Sequence, residues 1–202
     1  ALIRSDFWRP ETAEREFSSA EEFIAQSRFL ALGTVDPSFA ADLSPKGDPA
    51  GSLAILQGDS LLFADRPGNK RTDSFRNLLA QPSMAGTLLV PGSNQIVEFA
   101  GEAQLSTDPD LCALFAVQGK VPKLVTRLAG AKPVLRQCGA LETASLWPAA
   151  APPTDLNPAK IFAAHMRLSK DKSLSAKMSK AIVSLPGLMN SALRSDYKNN
   201  LY

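Results

Sequence analysis

Short apolar segments separated by tight turns dominate residues 30–64 of this 202-residue chain. The segments are FLALGTV, FAADL, GSLAIL and SLLFA. Only a few residues join them, and these are the Gly, Pro, Asp and Ser that are typical of turns. A parallel sheet needs crossover connections of a dozen or more residues, for which this spacing leaves no room. The sequence therefore predicts antiparallel neighbours in a meander or barrel and excludes a Rossmann fold.

Helices are predicted at three places around these strands. The segment SSAEEF carries a capping box, in which serine is followed three residues later by glutamate, so a helix is expected to begin there. A second helix, in TDSFRNLLAQP, is expected to end at Pro82 and to place Phe75, Leu78 and Leu79 on one face. Pro109 suits the first turn of a third helix. Further strands are expected in MAGTLLV, QIVEFAG, EAQLS and AKPVLRQCGA.

The chain is expected to divide into three segments. Residues 1–28 form an N-terminal helical segment, and residues 29–148 form the barrel domain. Residues 149–202 contain a Pro/Ala-rich linker, which no single strand or helix can cross, followed by basic helices. The predicted fold class is mainly β with α (α+β), an antiparallel barrel with peripheral helices and a C-terminal helical extension.

The charge and cysteine patterns argue against several classes of protein. The 22 Lys and Arg residues against 20 Asp and Glu residues leave a net charge of +2, so no global field favours nucleic acid or an anionic membrane. No apolar run approaches the roughly 18 residues of a spanning helix, and the start lacks the apolar stretch of a secretory signal. Cys112 and Cys138 form no CxxC pair, which favours a reducing compartment. We therefore expect a cytoplasmic protein with no nucleic-acid or membrane partner.

The single histidine, His165, lies on the apolar face of a predicted tail helix. A metal site or a Ser-His-Asp triad in the barrel is therefore not expected, and His165 is expected to pack against other helices. The basic residues of the next helix are Lys170, Lys172, Lys177 and Lys180. This helix is expected to pack on the barrel or across a dimer, with a partner protein, a lipid surface or nucleic acid as alternatives.

Two segments concentrate Gly, Pro, Asp and basic residues, and both are predicted to be loops: SPKGDP and DRPGNKRTDS. The second opens onto a predicted helix, where free N–H groups and the helix dipole favour an anion. Arg71 can form two hydrogen bonds to a phosphate, and Asn69 and Ser74 can add donors. Two interpretations remain open at this point, a phosphate site and a solvated surface turn. Asp73 favours the second, because its carboxylate competes with a phosphate for the helix N-terminus.

Several motifs together resemble one family. The segments SPKGDPAG, ADRPGNKRTDSFRNLL, LLVPG and AVQGKVPKLV follow the order and spacing of the pyridoxamine 5'-phosphate oxidase-like superfamily of FMN-binding split barrels. The chain is most similar to the bacterial subgroup marked by SPRGDP and DRPGNNRLDSLRN motifs, and the resemblance covers residues 29–147. It implies a six-stranded antiparallel split barrel that forms a homodimer with FMN at the subunit interface.

The matching motifs also imply positions around the cofactor. Four residues would hold the phosphate: Asn69, Lys70, Arg71 and Ser74. Three would lie along the flavin and ribityl chain: Ser44, Lys46 and Asp48. Two would line the cleft: Asp65 and Arg66. Two are candidates from the partner subunit, although the lysine is equally well explained as a solvated side chain: Lys123 and Trp147.

The resemblance implies an FMN-dependent oxidoreductase with a small-molecule electron donor or substrate. Members that oxidise pyridoxamine phosphate carry a C-terminal Arg/His pair, which is absent from the matching segment GALETASLWP, so this substrate is not expected. No side chain is assigned as a catalytic acid or base, because the flavin performs the electron or hydride transfer. The alternatives are a non-enzymatic flavin- or haem-binding sensor whose basic tail contacts a partner, and an empty barrel.

Overall fold

A computed structural model describes residues 15–66 and 71–147, together with the single positions 161, 164 and 195. All the elements described below belong to one compact unit, Glu11–Ala149. The predictions for His165 and for the helices of the C-terminal extension lie outside the described residues. The boundaries of the three segments at residues 28 and 148 stay predictions.

The described chain contains four short helices and eight strands. In chain order they are α1 (Ala20–Gln26), β1 (Phe29–Val35), β2 (Ala41–Gly47), β3 (Ala54–Gln57), β4 (Ser60–Ala64), α2 (Asp73–Ala80), β5 (Ser83–Leu89), β6 (Gln95–Ser106), α3 (Pro109–Ala113), β7 (Val125–Leu128), β8 (Val134–Gln137) and α4 (Gly139–Thr143). The capping box of α1 is confirmed: the Ser19 side chain accepts from the Glu22 N–H, and the Glu22 carboxylate accepts from the Ser18 N–H at 3.2 Å. Pro109 begins α3 as expected.

The strands form one antiparallel assembly in the order β2-β1-β5-β6-β7-β4-β3, with β8 pairing to β6. The long strand β6 belongs to both halves, because its first part pairs with β5 and β8 and its last part pairs with β7. This arrangement confirms the predicted α+β split barrel. Its eight strands exceed the six that the resemblance implies. No strand is predicted from the sequence at the position of β7.

The core lies on one face of the pleated strands, because successive side chains of a strand point to opposite faces. On β1 the inward residues Leu30 and Leu32 are buried, and they meet Phe99 of β6 in one apolar cluster. Helix α1 adds Phe23 and Ile24 to the same cluster. This packing fixes which side chains of β1, β2 and β5 point inward and which form the opposite face.

Two local predictions are corrected. Residues Ser44–Gly47 of the SPKGDP motif belong to strand β2 rather than to a loop. On α2, Leu79 is 78% exposed, whereas Leu78 is buried. Ser74 and Leu78 lie four residues apart and face the sheet together, so Leu79, about 100° further around the helix, faces solvent.

Gly86 on β5 is a position where we predict that an added side chain destabilises the core. A Cβ there would overlap the ring of Phe99, which is itself buried against Phe63. The substitution Gly86→Ala is expected to lower the free energy of unfolding by about 1–3 kcal/mol through overpacking, measured by urea denaturation. The control is Gly139→Ala, where a Cβ meets nothing within 4 Å. Equal stability of Gly86→Ala and the parent protein would contradict this interpretation of the core.

Candidate functional site

One face of the edge strand β2 is polar and points toward helix α2. Asp42, Ser44 and Lys46 are two residues apart, so they share this face, and all three are half-buried. Helix α2 packs against β1 and β2 and brings the buried Ser74 to the same place. We call this cluster, together with Arg71, the β2–α2 corner.

Hydrogen bonds and ion pairs join the two elements of the β2–α2 corner. The Ser74 hydroxyl donates to Oδ2 of Asp42 at 3.0 Å. Arg71 donates from Nε to Oδ2 of Asp73 at 2.9 Å, and its Nη2 lies 3.6 Å from Oδ1 of Asp42. The Arg71 side chain is 65% exposed, and exposed ion pairs of this kind contribute little to stability. The arginine therefore lies at the corner, and these two ion pairs hold it there only weakly.

Lys46 and Asp65 are a partly buried pair of opposite charge. Burial lowers the pKa of Lys46, and the carboxylates of Asp65 and Asp42 oppose this change only in part. Burial likewise raises the pKa of Asp65, against the effect of Lys46. Both shifts disfavour the charged forms, so desolvation outweighs the attraction within the pair. The Lys46 ammonium lies 5.6 Å from the centre of the Phe75 ring, which offers a weak cation–π contact.

Asp48 and Arg66 join the two motifs that the sequence singled out. Nε of Arg66 donates to Oδ2 of Asp48 at 2.8 Å, and the two side chains are only 15% and 4% exposed. The other guanidinium nitrogens donate to the backbone oxygens of Phe115 at 2.9 Å and Ser52 at 3.3 Å. Arg66 thus connects the end of β4, the segment after β2 and the segment after α3.

The remaining predicted site residues are distributed as follows. Asn69 and Lys70 lie outside the described residues. Lys123 is exposed, and its neighbour Leu124 accepts a hydrogen bond from the backbone N–H of Asp65 at 2.9 Å. The indole N–H of Trp147 is buried and finds no hydrogen-bond acceptor in the described part of the chain.

Sequence reasoning missed two contributors to the β2–α2 corner, Asp42 and the ring of Phe75. Asp42 lies two residues before Ser44, so the alternation of a strand would have placed it on the same face. The prediction that SPKGDP is a loop concealed this signal. The position of Phe75 beneath Lys46 depends on how α2 packs, and no local pattern encodes that.

Other kinds of site find no support in the described residues. No cluster of three or more His, Cys, Asp or Glu side chains suited to a metal ion occurs among residues 15–66 and 71–147. Across the part of the chain that the structure describes, no helix has the length and apolar character needed to span a membrane.

The strand order and the polar corner beside α2 define an α+β split-barrel protein. The family model for pyridoxamine 5'-phosphate oxidase matches residues 18–133, which is more than half of the 202-residue chain. The chain belongs to this family, as its motifs predicted. No curated protein matches the sequence.

Several solved structures are similar over most of their own length. HupZ from Group A Streptococcus shares 14% identity, covers 59% of this chain and 95% of its own, and gives a TM-score of 0.45. An F420 reductase shares 17% identity, with coverages of 59% and 96% and a TM-score of 0.42. HutZ, the heme storage protein from Vibrio cholerae, shares 12% identity, with coverages of 57% and 89% and a TM-score of 0.39.

The buried pair of Asp48 and Arg66 is predicted to matter for folding. The substitution Arg66→Met keeps an unbranched apolar side chain but leaves the buried carboxylate of Asp48 without its guanidinium partner. The free energy of unfolding, measured by urea denaturation, is therefore expected to fall by about 3–5 kcal/mol. The matched control is Arg136→Met, which breaks an equally short pair, 2.8 Å from Glu98, whose side chains are 59% and 42% exposed. That control is expected to cost about 0–1 kcal/mol. Similar losses in both variants would show that the Asp48–Arg66 pair has no special role.

Proposed function

We propose that this protein is an FMN-binding flavoprotein and an FMN-dependent oxidoreductase, which holds the cofactor phosphate at the β2–α2 corner and works as a homodimer. The observation that carries the proposal is the convergence of Lys46, Arg71 and Ser74 beside the first turn of α2. The family of the chain and the motifs described above support the choice of cofactor.

The donors at the start of α2 suit a phosphate group. A guanidinium and a hydroxyl lie next to a helix N-terminus, whose free N–H groups and dipole favour an anion. Within the described residues, Thr72 at the N-cap makes no side-chain hydrogen bond to the first turn. Asn69 and Lys70 directly precede Arg71 in the chain and complete the proposed phosphate ligands.

Residues of β2 and β4 are assigned to the rest of the cofactor. In the proposal, Ser44 and Lys46 line the flavin and ribityl chain, with Asp65 at the cleft wall. Asp48 and Arg66 act mainly by joining the two motifs, since each is largely buried against the other. A bound anion beside Lys46 would offset the desolvation that lowers the pKa of this lysine.

The bound flavin supplies electron or hydride transfer, and the protein binds it, orients it and limits the access of water. No side chain of the chain is assigned as a catalytic acid or base. The reaction partner is a small-molecule electron donor or substrate other than pyridoxamine phosphate. We also propose a cytoplasmic location, which agrees with the free thiols of Cys112 and Cys138.

The homodimer is proposed to form through the outer sheet face, which is the face of β1, β2 and β5 opposite the core. Its residues are Phe29, Ala31, Gly33, Val35, Ala41, Leu43, Pro45, Gly47, Ser83, Ala85, Thr87 and Leu89. They are small or apolar apart from one serine and one threonine, and Leu43 is 69% exposed. An exposed apolar face of this kind is typical of an interface, and in a homo-oligomer a second copy is its simplest occupant.

Strand β2 connects this interface to the cofactor. Its outward residues Ala41, Leu43 and Pro45 belong to the outer sheet face, and its inward residues belong to the β2–α2 corner. Packing a second copy on β2 would therefore put each corner close to the subunit interface. In this arrangement Lys123 and Trp147 of the second copy are the proposed contributors to the site.

Flavin binding by the purified protein is the direct test. FMN titration followed by quenching of flavin fluorescence is expected to show saturable binding. The substitution Arg71→Ala is expected to weaken it about ten- to a hundredfold, because a charge-assisted hydrogen bond contributes about 1.5–3 kcal/mol. The matched control is Arg76→Ala, which removes an exposed arginine from the same helix and should leave the affinity unchanged.

The outcomes separate the candidate functions. If FMN does not bind, or if Arg71→Ala binds it as well as the parent protein, the corner is not the phosphate site. Bleaching of bound FMN by NADH or NADPH would identify a nicotinamide as donor. Haem bound in place of FMN would favour the alternative of a haem-binding protein.

The proposed interface is tested by a charge placed on the outer sheet face. The substitution Leu43→Glu buries an unpaired carboxylate in the dimer and is expected to give a monomer in sedimentation velocity, where the parent protein sediments as a dimer. The control is Leu79→Glu, at a similarly exposed leucine on α2 away from that face. A monomeric parent protein, or a dimeric Leu43→Glu variant, would rule out this interface.

A further inference from the structure

We propose that Asp42 lowers the affinity of the β2–α2 corner for phosphate, because its carboxylate competes with the phosphate for Ser74 and Arg71. This inference rests on the proposed function and names a residue that controls it. It follows from three features: the hydrogen bond from Ser74, the approach of Arg71, and the low exposure of the Asp42 carboxylate.

The hydroxyl of Ser74 is the first feature. It has one proton to donate, and in this structure that proton points to Oδ2 of Asp42 at 3.0 Å. Both groups are largely enclosed, since Ser74 is buried and the Asp42 side chain is 21% exposed. To donate to a phosphate, Ser74 must first give up this bond. The hydroxyl proposed to bind phosphate is thus hydrogen-bonded to a carboxylate.

The same carboxylate interacts with the arginine. Oδ1 of Asp42 lies 3.6 Å from Nη2 of Arg71, so the two oxygens of Asp42 face two proposed phosphate ligands. Asp73 holds the Nε of Arg71 at 2.9 Å, but its side chain is 46% exposed and solvent screens its charge. Of these two carboxylates, Asp42 is therefore the one whose charge solvent screens less.

Asp42 is the carboxylate that contacts both Ser74 and Arg71. A bound phosphate would compete with it for both groups and would meet its negative charge at short range. Asp42 thus favours release of a phosphate-bearing ligand, and its removal should strengthen binding.

The experiment compares FMN with riboflavin, which has the same ring and ribityl chain but no phosphate. In the Asp42→Asn variant, FMN is expected to bind about tenfold more tightly than in the parent protein, because a repulsive carboxylate becomes a neutral amide. Riboflavin affinity is expected to change less than about twofold, since no ligand charge faces residue 42. Both affinities come from quenching of flavin fluorescence at one pH and one salt concentration.

Two further variants keep the result interpretable. Asp42→Ala removes the same charge without the amide and is expected to raise FMN affinity as well, which covers a failure of Asp42→Asn to fold. Asp73→Asn removes the more exposed carboxylate that also contacts Arg71, and it is expected to raise FMN affinity by less than Asp42→Asn does, because solvent screens its charge more strongly.

The outcomes distinguish this inference from the proposed function. If the parent protein binds no FMN, the proposed function fails and this inference fails with it. If the parent binds FMN but the variants at residue 42 bind it equally or less well, only the role of Asp42 is overturned. A parallel gain for riboflavin would also overturn it, since the effect would then have nothing to do with phosphate.

Discussion

The alternation of side chains along the edge strand β2 is the constraint on which the rest of this structure depends. Because successive residues face opposite sides, one seven-residue strand presents a polar row to α2 and an apolar row to the outside. Pairing with β1 locks the register, so a slip by one residue would move Lys46 out of the corner and Leu43 into it. The candidate site and the candidate interface therefore depend on the same strand register, and a change that shifts this register would disrupt both.

Stability and function make opposite demands on the charges beside β2. The Asp48–Arg66 pair is enclosed and hydrogen-bonded on several sides, so it holds together segments that are far apart in sequence. Lys46 and Asp65 are different, because burial disfavours the charge on both and neither gains enough from the other. Groups with pKa values perturbed in this way are concentrated at functional sites.

Local patterns predicted the elements well where the signal was complete within a few residues. The bounds of β1 and β4, the capping box of α1 and the proline at the start of α3 were all found from the sequence. The SPKG segment was misjudged because Pro and Gly are typical of turns. An edge strand tolerates Pro45, however, since one side of it needs no ladder hydrogen bond. Because SPKG was assigned to a loop, Asp42 was not recognised as part of the same strand face. The exposure of Leu79 was missed for a different reason, since it depends on the orientation of α2, which tertiary packing decides.

The position of β2 between the corner and the outer sheet face also links the two proposed events energetically. If a second copy packs on β2 and completes the cofactor site, FMN must bind the dimer more tightly than the monomer, and FMN must strengthen association by the same factor. A carboxylate that moderates phosphate affinity then moderates assembly as well. Asp42 lies on the inward face of the strand whose outward face carries Leu43, so the residue that opposes the phosphate lies beside the residue proposed to hold the second copy. Affinity for the cofactor and affinity for the partner would thus be set together along one short strand.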